Sequence, residues 1–424
     1  MRLDELPTKS FCILPWVSAN IGTDGDVVPC CLWHGKAEKF AKEHDVERAM
    51  IGDGLEKARD SEYFQKIRQM MIEGKRPSGC NVCYNNEDDD HHKDHEAAYG
   101  KLHLRTIHHK RHASWPYKIL GRKDDTIYEN KPMPLKWIET GLSNLCNMAC
   151  VMCNGGSSSI IYKAFHPGES IPKGFVQSID NIDEDLSGLT LLTILGGEPM
   201  IEKKHDTFLE TIIGQNKNPK NLEIDYHTNG SVFPSQRVIE QWKKVKQVRI
   251  VFSMDSVGKH VKIQRPGNYE WQDIDDTVDM FVQLAESNAN IIFSVNVLLT
   301  ALNIGCITET CDYLYSKLKN SKTGWMQTNR IESGMLWHRY IDYRNLGKKT
   351  KQRIKDKWKK WEDSNPLVLA DKDHAISRLY AVAKVSINEE GDMDEPLTKE
   401  LMLERHPQAK LWKLYKQDLK ELDI

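Results

Sequence analysis

"LKWIETGLSNLCNMACVMCN", residues 135–154, runs from a short apolar stretch straight into three closely spaced cysteines. "LKWIETG" reads as a β-strand bounded by glycine, and the loop after it carries Cys146, Cys150 and Cys153. The uneven spacing leaves four readings: a disulfide, a zinc site, an iron–sulfur cluster or coincidence. Composition separates them. The chain has 424 residues, 39% hydrophobic and 28% charged, as in ordinary soluble globular proteins. The N-terminal "MRLDELPTKS" has no apolar core of the signal-peptide kind. "IIFSVNVLLTALNI" is too short for a membrane span and contains Asn296 and Asn303. These features lead us to expect a cytoplasmic, reducing setting without membrane contact, where clustered cysteines bind metal rather than pair. A net charge of −2 gives no electrostatic case for nucleic acid or another polyanion.

Outward from this loop the pattern is regular. "LTLLTILGG", "LEIDYHTNG", "QVRIVFSMDS", "IIFSVNVLLT" and "WMQTNRIES" are further short apolar strands. Between them lie amphipathic stretches such as "HDTFLETIIGQN", "SQRVIEQWKKV", "TVDMFVQLAESN" and "CITETCDYLYSKL". Strand–helix alternation of this kind predicts an α/β fold with a parallel sheet or barrel. In a barrel the chemistry sits on loops after the strands, where the cysteine triplet lies. Three thiolates on one tight loop can hold three corners of a cubane cluster and leave the fourth iron open for catalysis.

Domain limits are expected at 1–100 (a cysteine-rich domain), 101–130 (a linker), 131–343 (the strand–helix domain) and 344–424 (a helical C-terminal extension). The histidine-rich run 91–112 contains His91 and His95 at i, i+4 spacing but places no third ligand, so it reads as a solvated helix. Residues 348–360, with Trp358 and the nearby Trp361, form a basic amphipathic helix that reads as covering a domain. Cys306 and Cys311 read as packing residues on a barrel helix.

The spacing "CNMACVMC" resembles the signature of the radical S-adenosylmethionine (SAM) superfamily. With "LSN" before it and "SSS" at 157–159 after it, it looks most like the branch of peptide-modifying and cofactor-building enzymes. The resemblance spans roughly residues 136–336. It implies a partial (β/α)6 TIM-like barrel, open on one side, and a [4Fe-4S] cluster on Cys146, Cys150 and Cys153 that chelates SAM. Gly196, Gly197, Glu198 and Pro199 resemble the family's GGEP loop, whose acceptors would meet the methionine ammonium. "HTNG", which includes Asn229, matches another family motif. Ser253 and Asp255 match ribose- or methionine-binding positions, and Arg265 matches a residue that pairs with the SAM carboxylate. Val297, Asn303 and Asn329 would lie near adenine.

"FCILPW…GDVVPCC…SGCNVCYNNE" resembles the SPASM or twitch extension of the same enzymes, with the shorter twitch form the closer match. The resemblance implies an auxiliary iron–sulfur cluster, a [4Fe-4S] centre, on Cys12, Cys30, Cys80 and Cys83. Cys31 is spare or exchanges with Cys30, and a four-thiolate zinc site is the alternative. The family's module usually follows the barrel, whereas here it precedes it. The implied activity is reductive cleavage of SAM, then hydrogen abstraction from a peptide or protein side chain. A flavodoxin or ferredoxin would be the electron donor. Dehydrogenation of a small molecule, a sugar or aminocyclitol, is the alternative chemistry. A non-enzymatic iron–sulfur or zinc scaffold is the alternative class, and the GGEP and Arg265 matches argue against it.

Overall fold

The computed structural model describes residues 3–33, 35–88, 104–113, 127–171, 182–318, 325–330, 338–365, 375–417, 419 and 422. Two strands come from the cysteine-rich N-terminus: β1 (Ser18–Ile21) and β2 (Val27–Val28). All six strands read from the sequence follow them. They are β3 (Trp137–Gly141), β4 (Leu191–Leu195), β5 (Glu223–Thr228), β6 (Gln247–Ser253), β7 (Ile291–Leu299) and β8 (Trp325–Arg330). The eight build one sheet in the order β2-β1-β3-β4-β5-β6-β7-β8, parallel throughout except for β2. The N-terminal region expected as a separate domain therefore shares its sheet with the barrel strands, Ser18 to Ile21 pairing with Trp137 to Thr140.

Side chains alternate across a strand, so the register defines two faces. One carries Ile138, Leu192, Tyr226, Ile250, Phe252 and Phe293, and helices cover it. Tyr226 accepts from Trp242 Nε1 at 3.1 Å, and Phe281 packs on Phe252 and Phe293. The other face carries a polar row: Asn20, Glu139, Thr193, Asp225 and Arg249 are successive cross-strand partners. Arg249 pairs with Asp225 at 2.5 Å, and Trp137 Nε1 donates to Thr193 at 3.0 Å. Parallel sheets are usually apolar on both faces, so a largely buried polar row whose members pair with one another sets this side apart from the helix-covered one.

The helix expected from residue 277 begins earlier, at Trp271, because a reciprocal cap between Glu270 and Asp273 satisfies its first amides. The basic helix forms over Lys348–Ser364 and covers the domain edge. Lys357 bonds Glu309 at 2.6 Å, and Trp361 Nε1 donates to Asp312 at 2.8 Å. Cys306 and Cys311 are buried in packing.

The histidine-rich run departs from expectation. His91 and His95 lie outside the described residues, but Leu104–His112 is a helix whose Arg105, Thr106, His109 and His112 are buried. His108 and His112 stack on Trp137 of β3, with ring centroids 5.1 and 6.2 Å apart. This part of the expected linker packs against the sheet because its partners come from elements distant in sequence. Among the described residues no helix is long and apolar enough to cross a membrane.

Candidate active site

The triplet loop leaves the C-terminal end of β3 and is locked on two sides by backbone hydrogen bonds. On one side Gly197 N donates to Ser143 O (2.8 Å) and Glu198 N to Leu145 O (2.7 Å). A Cβ on Gly197 would collide with Leu145 O, so only glycine permits this approach. On the other side Ala149 N donates to Pro266 O (2.6 Å) and Val151 N to Gln264 O (2.9 Å). The GGEP turn, the cysteine loop and the Arg265 segment thus form one hydrogen-bonded unit, assembled from segments that follow three different strands.

Around that unit the candidate side chains bond chiefly to one another. Glu198 is buried, and its two oxygens accept from Met200 N (3.0 Å), Thr228 Oγ1 (2.8 Å) and Asn229 N (2.6 Å). Burial nevertheless pushes its carboxyl up to about 7. Three donors leave a carboxylate about one acceptor position, so an arriving ammonium would share Glu198 with the protein. Asn229 Nδ2 donates to Asn147 Oδ1 at 3.0 Å and approaches Cys146 Sγ at 3.7 Å. Asp255 is fully buried; it accepts from Arg265 Nε at 2.7 Å and from Leu298 N at 2.9 Å. Arg265 Nη1 reaches Cys150 Sγ at 3.5 Å. The guanidinium expected to meet a carboxylate ligand is therefore already held by Asp255, which aims it at the cysteine loop. Ser253 ends β6. Val297 shares the helix-covered face of β7 with Phe293 and is fully buried. Asn303 donates to Asp255 O (2.7 Å) and Leu298 O (2.9 Å). Asn329 pairs with Leu298 in register.

Burial first, and the neighbouring Cys150 second, push the Cys146 and Cys153 thiols up to about 12. Burial raises Cys150 too, despite the cation beside it. Such thiols become ligands only when a metal's charge displaces their protons. Among the described residues no three His, Cys, Asp or Glu side chains converge as closely as a single metal ion requires. Cluster thiolates bind different irons and are spaced by them, so an all-sulfur triplet on one loop fits a cluster.

The N-terminal cysteines gather from separate turns. Cys30 follows β2, Cys80 ends the turn Ser78–Cys80, and Cys83 lies in the helix Asn81–Asp88. The buried Trp33 ring lies so close to Gly79 that a Cβ there would collide with it, and this contact brings the Cys30 and Cys80 turns together. Burial comes first and neighbouring thiol charge second in raising Cys30 and Cys80, with Cys80 acting on Cys30 and Cys12 on Cys80. Cys31 is exposed and lies beside Glu139, a buried acid that accepts from Asn20 Nδ2 at 2.6 Å.

Three contributors carry no motif. Glu139 is a buried acid, the one charged residue of β3, and that mismatch is its one signal in the sequence. Arg105 sits inconspicuously in the histidine-rich run. The C-terminal extension grips the triplet loop: Gln408 donates to Cys153 O, Leu411 packs on Ala149 and Ile161, and Trp412 Nε1 donates to Ile263 O at 2.7 Å. Nothing local in the C-terminal sequence announces these contacts.

Glu139 also makes stability depend on pH. Burial raises its carboxyl from 4.5 to about 7. Between those values the native state holds more protons than the unfolded chain, so stability falls as pH rises. Glu139→Gln should therefore leave cluster-free protein nearly unchanged near pH 4 and stabilise it near pH 8, by on the order of 3 kcal/mol. Urea unfolding at both values measures this; an equal effect at the two pH values would refute it.

A thiol loop at the strand ends of a parallel sheet, flanked by a buried carboxyl and an aimed arginine, has the make-up of a metal-cofactor site. Residues 141–314 match the family model of the Radical SAM superfamily, and residues 12–84 match SPASM, an iron–sulfur cluster-binding domain. The chain thus carries a radical SAM domain and an N-terminal SPASM domain; the cofactors of these domains are SAM and iron–sulfur clusters, an auxiliary SPASM cluster among them. No curated protein matches in sequence. Solved structures similar to parts of the chain include Streptococcus suis SuiB bound to precursor peptide SuiA, at 13% identity over 66% of each chain and a TM-score of 0.35. They also include SuiB bound to S-adenosylmethionine, at 14% identity over 54% of this chain and 44% of that one, TM-score 0.31. Native anSMEcpe with bound AdoMet is 17% identical over 46% of this chain and 51% of that one, TM-score 0.34. The chain spans between 44% and 66% of the length of these structures.

Proposed function

We propose that this enzyme cleaves SAM reductively at a [4Fe-4S] cluster held by Cys146, Cys150 and Cys153 and abstracts hydrogen from a peptide or protein side chain. When bound, the cluster and SAM together supply a 5′-deoxyadenosyl radical. The carrying observation is the double lock on the cysteine loop: the same loop is bonded to the GGEP turn and to the Arg265 segment. Gly196, Gly197, Glu198, Pro199, Asn229, Ser253, Asp255 and Arg265 are the proposed SAM contacts. Arg265 uses three of its five N–H donors on Asp255 and Cys150, which leaves two for a ligand carboxylate. Cys12, Cys30, Cys80 and Cys83 are the proposed auxiliary ligands, since Cys31 alone of the five N-terminal thiols is exposed.

The peptide reading rests on the sheet. β2 and β8 are its two ends and do not pair with each other, so the sheet is not closed and leaves room for a large substrate. The ten cysteines are all unpaired, which fits a reducing, cytoplasmic setting and a flavodoxin- or ferredoxin-type donor.

Anaerobically reconstituted full-length protein, incubated with SAM and dithionite, should release 5′-deoxyadenosine and methionine in equal amounts. An intact, reduced cluster that releases neither would sink the proposal.

A further inference from the structure

We propose that Arg105, from the helix beyond the matched SPASM residues, is the counter-charge of the auxiliary site and the positioning residue for its Cys12 arm. The inference rests on the auxiliary ligand set proposed above. Four thiolates carrying a cluster concentrate negative charge in a buried volume, which is costly without a nearby cation. Arg105 is such a cation, and it is itself 2% exposed. Its Nη1 donates to Phe11 O at 2.7 Å, fixing the backbone next to Cys12. Its carbon Cζ lies 5.0 Å from the centroid of the Tyr84 ring, and Tyr84 follows Cys83. Tyr84 in turn donates to Ser10 O at 2.8 Å, so Arg105 and Tyr84 clasp the chain on both sides of Phe11.

Other charges surround the same site. Glu87, on the helix that bears Cys83, accepts from Arg105 Nε at 2.9 and 3.1 Å, and its side chain is 5% exposed. Lys36 donates to Leu32 O at 2.9 Å and Gly79 O at 3.3 Å, beside the turns of Cys30 and Cys80. Arg76 also lies over the Tyr84 ring, at 4.7 Å, but pairs outward with the exposed Asp88. Arg105 and Lys36 thus bring positive charge to the segments that bear the four thiols, and Glu87 brings negative charge. In a purely structural ion pair, loss of either partner has the same consequence. A counter-charge gives opposite consequences: removing Arg105 disfavours the more negative reduced cluster, and removing Glu87 favours it.

The test is a redox titration of the auxiliary cluster by electron paramagnetic resonance, in full-length Cys150→Ala protein so that only this cluster reports. Arg105→Gln should shift the midpoint to more negative potential, lowering the reduced-to-oxidised ratio at fixed poise about tenfold. Glu87→Gln should shift it the other way, and Arg105→Lys should stay near the parent. Shifts of the same sign in both neutral variants, or none, with iron content intact, overturn the inference. If Arg105→Gln fails to hold iron, the Glu87→Gln shift decides alone. A parent protein without iron overturns the ligand set itself, a result the iron assay separates from an unshifted midpoint.

Discussion

Cys150→Ala protein should form no 5′-deoxyadenosine from SAM and dithionite, and its iron should fall from about eight atoms per chain to about four. Cys150 is the middle thiol of the triplet, buried, and approached by Arg265 Nη1. The residues on either side of it, Ala149 and Val151, carry the backbone bonds to Pro266 and Gln264. Alanine keeps those bonds and removes only the sulfur, so the fold should survive while the cluster loses one of three corners. Cys83→Ala should behave differently: if its cluster serves only a later step, SAM cleavage without coupled substrate turnover persists. Iron analysis and product chromatography on the two variants measure this contrast. Undiminished 5′-deoxyadenosine from Cys150→Ala would remove the triplet from the chemistry.

The second large effect concerns the join between the N-terminal region and the barrel strands. Arg59→Ala should destabilise the protein by about 3–5 kcal/mol, the usual cost of breaking a buried ion pair. Arg59 has no exposed side-chain surface; it pairs with Glu184, and its Nη2 donates to Trp16 O (2.7 Å) and Met133 O (2.8 Å). Trp16 lies just before β1, Met133 just before β3 and Glu184 in the segment before β4. One guanidinium therefore ties the approaches to three strands, and its loss isolates a carboxylate and weakens both carbonyl partnerships. Denaturant unfolding of wild type and variant checks the figure. A change below about 1 kcal/mol, the range of exposed pairs, would show that the join is held elsewhere.

Strand periodicity and turn residues suffice to read β3 to β8 in order, because each strand is a short apolar run whose pattern is local. They do not suffice for β1 and β2. "SANI" and "VV" are too short and too unpatterned to announce strands, and the pairing of β1 with β3 joins residues more than a hundred positions apart. The same holds for the site. The cysteine triplet, GGEP and Arg265 stand out as motifs, yet no motif says that Asp255 takes the guanidinium before any ligand does. In the sequence Arg105 is one cation among many in a polar run; its burial beside Cys12 arises only when the chain folds back.

Residue order alone specifies the strand–helix alternation, the place of the thiols after β3 and the superfamily, since these depend on spacing along one segment. Three-dimensional packing is what joins the N-terminal strands to the sheet, leaves Cys31 exposed while Cys30 is partly covered, and seats the C-terminal helix on the triplet loop. Each of these brings together charges, sulfurs or backbone amides that lie far apart along the chain. Hydrogen bonds and buried charges act over a few ångströms of space, whatever the number of residues between them.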